Sequence, residues 1–292
     1  MQTTEAIPDR DADLVRFFDH EQEAQGGARR WLSRSQNVVI EWIEAGAGAR
    51  TFEVASGHEM MVVLLTTGAT IEGAGQRVRT AARSLCILPP GSFSIAPEGA
   101  GACAAFASAR NDLAGRRVLN GTTYARPDPR VAPVGAPYRR LKAPGRIEVI
   151  ALDEVKAPAD NPRIKMFQSA TLSINWVEYA GPRDRTTLSP HSHADFEQCS
   201  LAAAGDFIHH FRVNWARNAN LWRDDVHARV PSPSVAVIPV HLVHTTEGIG
   251  DERHLLIDVF SPPRRDFIAR GWVANASDYE APAWQRPDTS PT

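Results

Sequence analysis

From residue 37 onward the chain is built of short apolar runs, cut at close intervals by Gly, Pro and Ser. In the first half these are residues 38–43, 60–65, 69–72, 84–88 and 102–106, and in the second half 147–150, 170–179, 196–203, 207–213, 234–238 and 254–260. Runs of this length with turn formers between them predict strands of a sandwich or barrel. No helical stretch alternates with them, so a doubly wound parallel sheet is excluded and the fold class is all-β. Residues 111–146 interrupt the series. They carry Pro127, Pro129, Pro133, Pro137 and Pro144 among Gly and Arg, as a connection between two units does. The sequence therefore divides into an arm over 1–34, a first β-unit over 35–110, a linker over 111–146, a second β-unit over 147–265 and a C-terminal wrap over 266–292. Leu14, Phe17 and Phe18 recur at helical spacing within residues 11–25, which predicts a short amphipathic helix in the arm.

Bulk charge narrows the partners. Lys plus Arg number 32 against 34 Asp plus Glu, a net charge of -2, so nothing draws the chain to nucleic acid or to an anionic membrane. Small molecules are the expected partners. Cys86, Cys103 and Cys199 are dispersed and form no Cys-x-x-Cys pair, which argues against a disulfide framework or a zinc ribbon and fits a reducing compartment. The N-terminal residues lack the basic start and apolar run of a signal peptide, so a cytoplasmic location is expected.

Eight of the 10 histidines fall between residues 191 and 254. The densest stretch is Ser189-Pro190-His191-Ser192-His193-Ala194-Asp195-Phe196-Glu197. In an extended segment, residues two apart share a face. His191, His193, Asp195 and Glu197 would then project together and hold one divalent metal, with a further donor from residues 238–244. Gly205-Asp206 predicts a hairpin between residues 196–203 and 207–213. A two-residue turn would place His210 on the side of His193 and Glu197, and a three-residue turn would reverse this.

His191-x-His193-x-x-x-Glu197, Gly205 and Pro239-x-x-x-x-His244 resemble the two motifs of the cupin superfamily. The resemblance implies a double-stranded β-helix, a small jelly-roll barrel, with His191, His193, Glu197 and His244 as ligands of one divalent transition metal. Fe(II) is the expected ion, with Mn, Ni, Zn or Cu as alternatives. Two departures stand out. Seven residues rather than six separate Glu197 from Gly205, and His241 replaces the glycine usual two positions after Pro239. Residues 88–94 match the second motif in the first half, but Ser94 stands at the histidine position and only His58-Glu59 is similar to the first motif. The chain thus resembles a bicupin with one degenerate barrel and one metal-binding barrel.

Such proteins include ring-cleaving dioxygenases, so the first expectation is a non-haem Fe(II) dioxygenase. A redox-neutral isomerase, lyase or decarboxylase is the alternative, and a non-catalytic binding cupin the third. His241 and His210 are the candidate acid/base groups. Arg212 and Arg223 are candidate anchors for a substrate carboxylate, Cys199 reads as a buried and inert thiol, and the family analogy suggests a homodimer.

Overall fold

The computed structural model describes residues 10–109 and 116–282. The first nine residues of the expected arm, the head of the expected linker and the last ten residues of the expected wrap lie outside the described residues. Among the described residues, apart from one short α-helix, Arg265–Ala269, and isolated 3-10 turns, the regular structure is antiparallel β.

Two barrels follow one another. In the first, a seven-stranded sheet faces a four-stranded one. Phe52, Val62, Ile71, Cys86, Leu88, Phe93 and Ile95 fill the space between them. In the second, a six-stranded sheet faces a three-stranded one made of Asp206–Arg212, Val226–Pro231 and Val243–Ile249. The larger sheets of the two barrels lie against each other. Met61, Val63, Leu85, Ile87 and Phe106 from the first meet Phe167, Ile174, Trp176, Leu201, Val237 and Ile257 from the second. Alternation along each strand sends one set of side chains into its own barrel and the other into this shared core.

The barrels exchange strands at this junction. Asp13–Arg16 joins the edge of the second barrel's sheet, pairing Asp13 with Val237 through Arg16 with Ser234. Glu148–Ala151, the first strand past the linker, joins the first barrel, pairing Glu148 with Ile87. The helix expected over residues 11–25 is therefore not formed. The segment is strand Asp13–Arg16, the 3-10 turn Phe17–Asp19 and strand Glu23–Gln25. Pairing with Ser234–Ile238 supplies the backbone bonds a helix would have made, and it covers an otherwise open sheet edge. Phe17 is buried in the shared core beside Trp42.

Ion pairs cross the junction as well. Arg83 of the first barrel reaches Glu178 of the second at 2.8 Å while also holding Asp153 at 2.6 Å. Burial alone would raise the Glu178 carboxyl. Hydrogen bonds from Arg83, Trp176 and Arg253 outweigh it and hold the group at about 2, well below the ordinary carboxylate range. A carboxylate depressed in the folded state adds stability that is complete above its unfolded pKa and disappears as pH falls through the folded one. Glu178→Gln should therefore lose roughly 2 kcal/mol at pH 7 and show a shallower loss of stability between about pH 4.5 and pH 2, read by urea melts across that range.

Candidate metal centre

The two histidine segments are brought together by their backbones. His191 and His244 exchange N–H···O bonds of 3.0 and 2.8 Å, and the His241 N–H reaches the His193 carbonyl at 2.7 Å. This clamp places one nitrogen each from His191, His193 and His244 within 4.8 Å of one another. His191 Nδ1 lies 2.9 Å from the Ser189 carbonyl and His244 Nδ1 2.9 Å from the Leu242 carbonyl. A carbonyl only accepts, so in each ring Nδ1 carries the proton and Nε2 keeps its lone pair. Burial pushes the His193 imidazole down to about 4, with the Arg264 charge acting the same way, and pushes His244 down to about 3. Both are neutral donors at pH 7, which is the form a metal takes.

The fourth group beside the triad is Gln198. Its Oε1 lies 3.0 Å from His193 Nε2 and 3.3 Å from His244 Nε2. Its amide NH2 donates to Ser200 Oγ at 2.9 Å and to Asp258 Oδ1 at 3.2 Å, and Ser200 donates to Asp258 at 2.6 Å. A carboxylate accepts from the amide nitrogen, so Asp258 fixes the amide with its oxygen toward the imidazoles. Three imidazole nitrogens and an oxygen form a set that Fe, Mn, Ni, Cu or Zn accepts, and the residues present fit one such ion.

Glu197, expected as a ligand, points elsewhere. The stretch is not a continuous strand: His191 is an isolated bridge, residues 194 and 195 form a bend, and the strand Gln198–Ala204 begins only afterwards. The bend shifts the alternation by one. His191, His193, Gln198 and Ser200 face the centre, whereas Glu197 and Cys199 face the barrel junction. There Glu197 accepts from the Gln36 N–H at 2.7 Å and Cys199 sits in the shared core. Asp195 is exposed, and its carbonyl accepts from Ala132 N–H at 2.6 Å. The spacing held a signal for this arrangement, because six residues separate Gln198 from Gly205, the number that Glu197 failed to give.

His210 also faces away. The runs around Gly205 do not pair with each other; Gln198–Ala204 belongs to the six-stranded sheet and Asp206–Arg212 to the three-stranded one. Gly205 is the corner between them, with φ of 90° and no room for a Cβ, which would meet His254 Cδ2 at 2.7 Å. Phe211 pairs with His244 and His209 with Thr246, so Phe211 and His209 share the triad's face and His210 takes the other. There His210 contacts His227 at 2.7 Å and Glu247 at 3.1 Å. His209 is buried with Nδ1 3.0 Å from Thr246 Oγ1. Arg212 is held by Asp225 at 2.9 Å and Arg223 by Asp11, so neither anchors anything in the cavity.

His241 acts through its backbone. Its φ is 66°, the left-handed region where the usual glycine at this position costs nothing. Its ring does not line the triad's cavity. His241→Gly should leave metal content unchanged and change stability by no more than about 1 kcal/mol, in the favourable direction, by thermal melts and elemental analysis.

The triad, Gln198 and Asp258 line one side of a cavity of about 510 Å3, with Met166, Val177, Leu256 and Phe260 as its apolar wall. Arg264, paired with Asp266 at 2.8 Å, lies over the Phe267 ring at 3.7 Å.

Solved structures share this arrangement of barrels. Variants of oxalate decarboxylase OxdC from Bacillus subtilis superpose over 90% of this chain and 80% of theirs, with TM-scores of 0.57 and 0.58 at 13% and 15% identity. Protein Ylba from E. coli superposes over 90% of this chain and 96% of its own, with a TM-score of 0.57 at 10% identity. The chain has the bicupin fold. At these identities the likeness is one of fold. No family model matches the sequence, and no curated protein does either.

Within the bicupin, the first barrel's apolar interior is broken by a buried Arg30–Glu41 pair at 2.8 Å, and among the described residues only the second barrel brings three metal-type donors together. Glu59, expected as a remnant of the first motif, instead ties elements together. It accepts from Ala170 N–H at 2.9 Å and Tyr279 OH at 2.8 Å, and pairs with Arg140 at 3.2 Å.

Proposed function

We propose that this bicupin is a metal-dependent enzyme acting on a small organic molecule, and that its reaction is a non-haem Fe(II) dioxygenation. The observation that carries the reading is the convergence of three imidazoles on one side of a 510 Å3 cavity, with Gln198 Oε1 beside them. A donor set of this kind leaves coordination positions open to a substrate, as catalytic rather than structural sites do. A bound ferrous ion would supply redox chemistry with dioxygen and Lewis acidity toward substrate oxygens.

The chain's own residues have separable tasks. Asp258 and Ser200 hold the Gln198 amide, and the carbonyls of Ser189 and Leu242 hold two ring tautomers. Met166, Val177, Leu256 and Phe260 keep the substrate side dry.

A second reading is a redox-neutral lyase or decarboxylase. It is favoured by Asp258, a carboxyl lining the cavity beside Gln198, which burial pushes up, the direction that suits a proton-handling group. Likeness to a fold that includes an oxalate decarboxylase is consistent with it.

The deciding experiment is elemental analysis of the isolated protein, then oxygen uptake with catechol-like, salicylate-like and β-diketone substrates in the Fe(II) form. Oxygen consumed in step with substrate supports the dioxygenase. Turnover under strict anaerobiosis with Mn, Ni or Zn would select the redox-neutral reading instead. A wild-type protein that binds no metal would leave only a non-catalytic binding role.

A further inference from the structure

Part of the cavity wall carries positive charge that the protein does not neutralise. Arg163, just before strand Ile164–Gln168, and Arg183, in the loop after strand Ser173–Ala180, both line it with Tyr179. The Arg183 loop is fixed. Gly181 turns the chain with φ of 74° and bonds the Glu252 carbonyl at 3.0 Å, and the Arg183 N–H bonds the Gly248 carbonyl at 2.9 Å. The Tyr179 ring beside it is stacked on His254 at 5.1 Å.

Neither arginine has an ion-pair partner among the described residues. The acids nearest Arg183 are already committed. Asp184 accepts from Thr186 N–H at 2.8 Å and Oγ1 at 2.7 Å, while Glu247 pairs with Arg185 at 3.3 Å and His210 at 3.1 Å. Burial first, and then the charge of Arg163, hold the Arg183 guanidinium below its ordinary value. Arginines elsewhere in the chain show the reverse, since Arg212 and Arg229 are pushed up by the carboxylates they hold. Two uncompensated cations on one wall of a half-buried cavity repel each other, and an anion arriving between them relieves both. A carboxylate matches the planar donor fork of a guanidinium, whereas a neutral amide or alcohol leaves the charge unmet.

We infer that Arg163 and Arg183 form a subsite for a substrate carboxylate, so that the molecule handled at the triad is a small organic acid. The inference rests on the reading of this cavity as the substrate site.

Calorimetric titration of the protein as isolated, in chloride-free buffer, tests it with matched probes: benzoate against benzamide and oxalate against oxamide. At least one acid is expected to bind tenfold or more tightly than its amide. Arg163→Gln and Arg183→Gln should each weaken acid binding about tenfold, and the double variant about a hundredfold, with amide binding unchanged. Arg183→Lys, which keeps the charge, should recover part of the loss. Equal affinity for acid and amide, no binding of either, or an acid preference that survives in the folded double variant would overturn the subsite. Metal content of the same samples separates the two ideas. A metal-free protein that still prefers the acid would remove the enzymatic reading and leave the subsite standing.

Discussion

His244→Ala protein is expected to carry no stoichiometric divalent metal, whereas Glu197→Gln protein retains it. His244 is buried, its Nδ1 proton is committed to the Leu242 carbonyl, and its Nε2 is one of three donors within 4.8 Å of one another. Groups that merely orient a ligand typically change affinity 10- to 100-fold, so loss of a donor should cost at least about 100-fold. Asp258→Asn, which disturbs the Gln198 amide without removing a donor, should fall between, at about 10- to 100-fold, and Gln198→Ala, which removes the oxygen, should cost about 100-fold. Glu197 faces the barrel junction, and Gln at this position still accepts from the Gln36 N–H. Elemental analysis and competition with a chelator measure the series. If Glu197→Gln lost its metal as fully as His244→Ala, the bend at residues 194 and 195 could not have shifted the alternation as described. Circular dichroism on every variant separates loss of a ligand from loss of fold.

The second large effect lies away from the metal. Trp176→Ala should destabilise the whole chain by about 3–5 kcal/mol in urea or guanidinium melts. Trp176 is 1 % exposed in the shared core, its Nε1 donates to Glu178 at 3.0 Å, and the Arg83 guanidinium lies over its ring at 5.6 Å. Removal leaves a cavity between two sheets whose backbones are held by their own ladders and cannot collapse into it. Because the side chain touches both barrels, a single transition should move as one. Two separated transitions, or a loss below about 1 kcal/mol, would show that the junction is not the shared core inferred from packing.

Much of this was legible from residues alone, and the rest failed for identifiable reasons. Short apolar runs with turn formers between them were enough for strands, and the histidine spacing was enough for the triad. Strict alternation was not enough for the fourth group. Counting by twos from His191 reaches Glu197, but two residues of bend hand the inward position to Gln198. Both turn lengths considered for His210 assume one sheet on both sides of Gly205, whereas the chain changes sheets at that glycine. The helical spacing of Leu14 and Phe17 is satisfied by a strand pairing with residues more than two hundred positions away, which local periodicity cannot see. Asp258 and the arginines of the cavity carry no spacing rule, because only tertiary structure brings them to the triad.

The exchange of strands between the barrels has a consequence for how the chain can be cut. A fragment starting at residue 147 would keep all three histidines. It would forfeit the Asp13–Arg16 edge, the Gln36 N–H that pins Glu197 and the Ala132 N–H that pins Asp195, while carrying a Glu148–Ala151 strand with no sheet to join. The first barrel is in this sense the jig of the second. It holds from outside the stretch of chain whose inner side presents His191, His193 and Gln198, and neither half is a module that can be lifted out or grafted alone.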